Sequence, residues 1–149
     1  GGTALALGRS RGWGGPRSRL MAATSILLIG LVYSVALRAL WSPTGLQKVA
    51  DLALHDATPL LWLALWLLAP HSRLGWREIG WALLPPLLYV IYAIARGSIE
   101  GWYAYWFLNP SAQSPAEFLV SMCVLFCGFG LAAAALVAAD RQLARTSPT

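Results

Sequence analysis

Charged residues are scarce in this 149-residue chain: they make up 11% of it, whereas 58% of the residues are apolar and the mean hydropathy is +0.60. A soluble domain has about 25% charged residues. The deficit excludes a disordered tail, a coiled coil and most soluble enzyme folds. With only two cysteines and two histidines, the chain offers too few ligands near one another for a metal site. We therefore predict no metal site and no cofactor.

The apolar residues fall into four blocks. Each block is close to the 20 residues with which a helix crosses a hydrocarbon core of about 30 Å. Buried helices of a soluble protein would need polar helices around them, and this sequence has none. We predict an all-α, polytopic membrane helix bundle with four transmembrane helices at about residues 20–38, 50–69, 78–96 and 117–139. The predicted parts are a basic cytoplasmic segment, a membrane domain and a cytoplasmic tail, at residues 1–19, 20–139 and 140–149.

Lysine and arginine are distributed unevenly around these spans. Eight of the eleven precede the first span, lie between the second and third, or follow the fourth. The other three, Arg38, Lys48 and Arg96, lie on the opposite side. The positive-inside rule then predicts a multi-pass protein of the cell membrane with both termini in the cytoplasm. Topology and contact with anionic headgroups explain the net charge of +5, so membrane lipids, and no nucleic acid, are the predicted partners.

Polar residues recur on one face of the second span. Asp51, His55 and Thr58 are spaced by four and three residues, so they share that face. Polar groups inside a span usually face the bundle interior or a water-filled cavity. A neutral His55 can act as a general base, and Asp51 one turn away can orient it. The alternative is a structural histidine, hydrogen bonded to a neighbouring helix or to water. His71, in the basic loop that follows, is predicted to be an exposed surface residue.

A stripe of polar and aromatic residues climbs the third span towards an aromatic loop. The stripe consists of Tyr89, Tyr92 and Arg96, and Arg96 is placed to hold an anionic group or to pair with Glu100. Residues 102–108 contain five aromatic residues, which suits a loop at the level of the lipid headgroups. This loop is either a plain aromatic belt or a lid that contacts substrate.

Together, these features indicate a site at the outer membrane face. His55, Arg96 and the aromatic loop all lie there in the predicted topology. Such a site suits an amphiphile with a polar head. The residues predicted to bind it are Thr58, Tyr89, Tyr92, Arg96, Trp102 and Tyr103.

Three segments in combination resemble one protein family. They are residues 31–41 (LVYSVALRALW), 50–59 (ADLALHDATP) and 96–108 (RGSIEGWYAYWFL). The chain resembles the androgen-induced and androgen-dependent membrane hydrolases, in particular their bacterial six-helix homologues, over about residues 17–145. The resemblance implies that this chain corresponds to the last four of six helices. It also implies a threonine-type hydrolase that cleaves fatty acid esters of hydroxy fatty acids.

The resemblance assigns roles to some residues and leaves one role empty. His55 matches the family's catalytic histidine, whereas the family's nucleophilic threonine belongs to a helix before the first span of this chain. Residues 1–16 are too short and too rich in glycine to supply that helix, and Thr3 has no matching surroundings. Ala104 and Trp106 stand where the bacterial pattern has prolines.

Two functions follow as alternatives. The first is a lipid ester hydrolase that acts on a fatty acyl ester, with this chain alone inactive. The second is a non-catalytic membrane protein that binds a lipid or a partner at an outer-leaflet cavity. A cavity-facing threonine on an upstream helix would favour the first, and its absence from the native protein would favour the second.

Overall fold

The computed structural model describes residues 14–146, and within this range the chain forms helices, turns and loops without a strand. The prediction of an all-α fold is confirmed. The helices, in chain order, are α1 (Pro16–Val32), α2 (Gly45–Leu52), α3 (Thr58–Leu68), α4 (Glu78–Ala82), α5 (Leu84–Glu100) and α6 (Pro115–Thr146). Two π-helical turns continue them: the first π-turn (Tyr33–Leu37) follows α1, and the second π-turn (Ala53–Ala57) joins α2 to α3. A short 3₁₀ turn, Trp106–Leu108, lies in the aromatic loop.

Three helical segments are long and apolar enough to cross a membrane: Pro16–Leu37, Glu78–Glu100 and Pro115–Arg145. They correspond to the first, third and fourth predicted spans, as expected of a membrane protein. The helical stretch over residues 45–68 is not one of the three, because charged side chains such as Asp51 and Asp56 lower the hydropathy of its first half. Four transmembrane helices are therefore not confirmed.

Helix α1 is the centre of the bundle, since it contacts α3, α4, α5 and α6. The main apolar cluster joins α1, α3, α4, α6 and the loop after α3 with small and large side chains: Leu20, Ala23, Trp66, Leu74, Ala82, Ala133, Leu136 and Val137. Alanines in this cluster let the helix backbones approach closely. Many leucines on the outer faces are exposed, Leu68 to 84%. An apolar exterior of this kind suits contact with lipid.

The two ends of the bundle differ in charge. Between residues 14 and 145, the end that holds the start of α1 and the end of α6 carries six arginines and two carboxylates, and we name it the basic end. Its charged residues are Arg17, Arg19, Arg73, Arg77, Arg141, Arg145, Glu78 and Asp140. The opposite end carries three cations and four carboxylates: Arg38, Lys48, Arg96, Asp51, Asp56, Glu100 and Glu117.

Asp140 fastens the loop after α3 to α6 at the basic end. Its carboxylate accepts a hydrogen bond from the backbone N–H of Leu74 at 2.7 Å, and it lies 2.9 Å from Nδ1 of His71. The prediction that His71 is an exposed surface residue is wrong: 7% of its side chain is exposed. The cause is a long-range partner, because Asp140 lies 69 residues further along the chain. A carboxylate this buried needs such donors.

Further arginine contacts hold the same end together. Arg17 forms a salt bridge with Glu78, and its guanidinium lies 4.8 Å from the ring centre of Trp81. Arg19 donates a hydrogen bond to the carbonyl of Pro70 at 2.7 Å. Arg141 donates one to the carbonyl of Leu74 at 3.1 Å. These contacts fix the starts of α1 and α4 and the end of α6 against one loop.

Candidate functional site

The predicted general base lies in a π-helical turn. Proline at position 59 has no N–H, so it cannot donate to the carbonyl of His55 in the α-helical pattern. Thr58 closes the wider turn instead, because its backbone N–H and its hydroxyl both donate to the carbonyl of Ala53, the hydroxyl at 2.7 Å. Single π-helical turns inside α-helices are frequently functional sites. The spacing of the polar residues in the sequence does not indicate this π geometry.

His55 and Asp51 are in contact, as the sequence predicts. Nδ1 of His55 lies 3.2 Å from Oδ1 of Asp51 and 3.2 Å from the Asp51 carbonyl oxygen. The exposed fractions of the two side chains are 26% and 14%. In the described part of the chain, Nε2 of His55 has no hydrogen-bond partner. The carboxylate thus engages one ring nitrogen and leaves the other available.

Tyr33, which the sequence analysis did not select, completes this cluster. Its ring stacks on the imidazole of His55 with centroids 3.7 Å apart and planes 13° from parallel. The side chain is buried, and its hydroxyl lies close to the Asp51 carboxylate without a closed hydrogen bond among residues 14–145. Tyr33 lies in an apolar block without a local polar pattern, so the one available signal was its place in the resembling segment 31–41.

A glycine contact brings the two helices close enough for this stacking. A Cβ atom on Gly30 would lie 2.6 Å from Cγ of Pro59 and 3.0 Å from the carbonyl oxygen of His55. A side chain at position 30 would therefore separate α1 from the second π-turn. Gly30 fixes the distance between Tyr33 and His55 through this close approach.

An ion pair between Arg38 and Asp56 lies beside Tyr33 and His55. Nη2 of Arg38 donates to both carboxylate oxygens of Asp56, at 2.7 and 2.8 Å. The Arg38 guanidinium lies 5.5 Å from the ring centre of Tyr33. Because the pair involves a residue after the first π-turn and one within the second, it links the two turns. We name Tyr33, Arg38, Asp51, His55 and Asp56 the His55 cluster.

The other predicted site residues form a separate group on α5 and the aromatic loop. Arg96 pairs with Glu100 at 2.8 Å and lies 5.4 Å from the ring centre of Trp102. Tyr103 packs its ring against Gly97, and Tyr92 is 58% exposed. Within residues 14–145, no hydrogen bond, ion pair or ring contact joins this group to the His55 cluster.

Two adjacent apolar cavities, both open to the surface, lie between α1, α6 and the aromatic loop, and α5 bounds the smaller one. Their volumes are about 240 Å³ and about 440 Å³, and they share four wall residues: Leu28, Val32, Phe107 and Leu125. Tyr89 lines the smaller cavity and lies 6.4 Å from Tyr105, measured between ring centres. Leu28 and Val32 are each two residues from Gly30, about 200° around the helix. The cavities therefore adjoin the face of α1 opposite to α3.

The described residues contain no group of three His, Cys, Asp or Glu side chains able to hold a metal ion. Comparisons with protein-family models, with curated proteins and with solved structures give no match for this chain. A function for this chain therefore has to be inferred from the chemistry of the residues in the His55 cluster.

Proposed function

We propose that the chain is part of a membrane lipid ester hydrolase in which His55 is the general base and Asp51 orients it. The observation that carries this proposal is the 3.2 Å contact between the Asp51 carboxylate and Nδ1 of His55, with Nε2 unpartnered in the described chain. A carboxylate on one ring nitrogen fixes the imidazole so that the other nitrogen can take a proton. Stacking on Tyr33 restrains the ring further.

The nucleophile is proposed to come from outside the described residues. The hydroxyl of Thr58 donates to the Ala53 carbonyl, so it is engaged in the helix instead of facing His55. No serine or threonine between residues 14 and 145 hydrogen bonds to the imidazole. The resemblance to threonine-type membrane hydrolases suggests a threonine on an upstream helix.

In the proposed reaction, Nε2 of His55 takes the proton of that threonine hydroxyl while its oxygen attacks the ester carbonyl. The tetrahedral intermediate then expels the alcohol, which takes the proton from the imidazolium and leaves an acyl-enzyme. A water molecule deprotonated by His55 attacks the acyl group, releases the fatty acid and restores the threonine. The substrate class is a fatty acyl ester.

Four spans with both termini in the cytoplasm belong to the same proposal. In this arrangement the helical stretch 45–68 crosses the membrane, and the His55 cluster lies near the outer face. Support comes from the charge of the two ends, since six arginines lie at the basic end and three cations at the other. Positively charged residues favour the cytoplasmic side.

Lipid binding without catalysis is the second candidate function. It is favoured by the two apolar cavities, which have room for hydrocarbon and lie on the other face of α1 from His55. Tyr89 is the one predicted substrate-binding residue that lines them. In this case the aromatic loop closes over a bound acyl chain, and His55 has only a structural role.

Substitution of His55 in the full-length protein separates the two functions. We expect His55→Ala and His55→Gln both to abolish hydrolysis of a fatty acid ester of a hydroxy fatty acid, with normal membrane insertion. Glutamine keeps the ability to hydrogen bond and does not accept a proton near neutral pH. We expect Asp51→Asn to reduce turnover strongly, because the imidazole then loses its orienting charge.

Near-normal hydrolysis by the glutamine variant would refute general-base catalysis. If the full-length protein neither hydrolyses the ester nor reacts with a hydrolase probe, while it retains fatty acid esters on purification, the binding function is supported instead.

A further inference from the structure

The basic end of the bundle contains an exposed group of cations and one tryptophan that the proposed hydrolase does not use. Arg73 and Arg77 lie in the loop between α3 and α4, on either side of Trp76. Trp76 is 54% exposed, and the side chain of Arg77 is 90% exposed. The Arg141 guanidinium, from the last helix, lies 5.8 Å from the ring centre of Trp76. We name these four residues the arginine patch.

The loop holds Arg73 in a conformation that side-chain-bearing residues rarely adopt. Its φ is +56°, in the left-handed region. The residues on either side, Ser72 and Leu74, both donate backbone N–H groups to Asp140, at 3.4 and 2.7 Å. Strained backbone of this kind persists where the surrounding contacts fix it, and it concentrates at functional sites. Asp140 thus positions the exposed Arg73.

Among residues 14–145, the three arginines of the patch have one ion pair, the long contact of Arg77 with Glu78. The two carboxylates of the basic end are already engaged: Glu78 by Arg17, and Asp140 by His71 and the loop backbone. Arg73 has no ion pair or hydrogen bond through its side chain within residues 14–145. The nearest carboxylate oxygen to Arg77 is 4.0 Å away, on a glutamate that Arg17 already holds. The patch therefore carries a net positive charge that an anionic partner can neutralise.

We propose that the arginine patch binds the phosphodiester of an anionic membrane phospholipid of the phosphatidylglycerol type. Guanidinium groups hold phosphate oxygens through paired hydrogen bonds. An exposed tryptophan beside them fits the headgroup level, where its ring contacts the start of the acyl chains. The location favours lipid over a soluble anion, because three apolar helices end beside the patch. Three arginines, one indole and adjacent hydrocarbon complement an anionic diacyl lipid.

Lipid binding by the purified 149-residue chain in a nonionic detergent tests this proposal. Phosphatidylglycerol and phosphatidylcholine with identical acyl chains are titrated, and the bound lipids are counted by native mass spectrometry while the melting temperature is recorded. We expect phosphatidylglycerol to bind at a saturable site and to raise the melting temperature, and phosphatidylcholine to do neither. Equal binding of both lipids would overturn the proposal.

Charge variants locate the site. Arg73→Gln with Arg77→Gln is expected to weaken phosphatidylglycerol binding roughly 25-fold, at roughly fivefold for each arginine. Lys48→Gln is the matched control: it also removes an exposed cation, at the opposite end of the bundle, and should leave the affinity unchanged. The same loss in the control, or no loss in the double variant, would overturn the proposal.

Two further measurements keep the test decisive. If the glutamine double variant does not fold, Arg73→Lys with Arg77→Lys replaces it: lysine keeps the charge and loses the paired geometry, so a several-fold weaker, salt-sensitive site is expected. Unchanged affinity that is insensitive to salt would argue against the patch. In a third arm, inorganic phosphate is added without lipid. Stabilisation equal to that by phosphatidylglycerol would identify a site for soluble anions and refute lipid binding.

Discussion

Replacing Gly30 by alanine tests whether the close approach of α1 to the second π-turn builds the His55 cluster. The new methyl group would lie 2.6 Å from Cγ of Pro59 and 3.0 Å from the His55 carbonyl oxygen. The proline ring and the backbone carbonyl cannot move independently of α3, so the helices must separate. Overpacking of this kind costs about 1–3 kcal/mol.

A second glycine isolates this packing cost from helix propensity. Glycine to alanine inside a helix gains up to about 1 kcal/mol from propensity alone. A methyl group on Gly130, in α6, would meet no atom within 4 Å outside its own stretch of helix, so Gly130→Ala receives the propensity gain without a clash. The two variants should therefore differ in unfolding free energy by about 1–3 kcal/mol, with Gly30→Ala the less stable.

The assay is reversible unfolding in mixed micelles, followed by the loss of helical circular dichroism. Increasing fractions of a denaturing detergent give the unfolding free energy of each variant. If Gly30→Ala and Gly130→Ala are equally stable, α1 does not approach α3 as closely as described, and the stacking of Tyr33 on His55 loses its structural basis.

Three further predictions concern the fastening of the basic end, the topology and the catalytic competence of the chain. Asp140→Ala should lower the unfolding free energy by about 1–3 kcal/mol for each buried donor of the loop that it leaves unpaired; a total loss below about 1 kcal/mol would contradict this. In a background of Cys123→Ser and Cys127→Ser, which removes two exposed thiols, Ser98→Cys should react with a membrane-impermeant reagent added to intact cells and Ser147→Cys should not. Labelling at position 147 and not at position 98 would show that the orientation is the opposite one. The 149-residue chain should not react with a probe for serine and threonine hydrolases. Covalent labelling would show that the nucleophile lies within this chain.

The helices were predictable where the apolar runs are continuous. The contacts of the candidate site were predictable where the two residues are close in sequence. The long runs indicated the helical segments that begin at Pro16, Glu78 and Pro115 with boundaries within a few residues, apart from the end of α6, which continues to Thr146. The break that separates α4 from α5 within the second of these segments was not predicted. Asp51 and His55 are one helical turn apart, so their contact followed from spacing. The pair of His71 with Asp140 and the stack of Tyr33 on His55 join residues far apart in sequence, and periodicity within one helix carries no information about them.

The residues predicted to form one outer site lie in two groups because α1 stands between them. Helical geometry explains the division: Gly30 faces α3, and Val32, two residues on, faces the cavities. Sequence spacing placed His55 and Arg96 at the same depth without giving their positions around the bundle. The depth of a residue follows from counting residues along its span. Its position around the bundle depends on which helix faces pack against each other.

The two ends of the bundle are built for different tasks. At the basic end, Asp140 and Glu78 are buried and engaged, and they fasten α1, α4 and α6 to one loop. At the other end, none of the residues of α2 is buried, and α2 packs little against the other helices. Segments with few buried contacts open at low free energy. In the proposed hydrolase, the less stable end beside the His55 cluster is where a further helix and an amphiphilic substrate would enter, while the fastened end keeps the three long apolar helices in register.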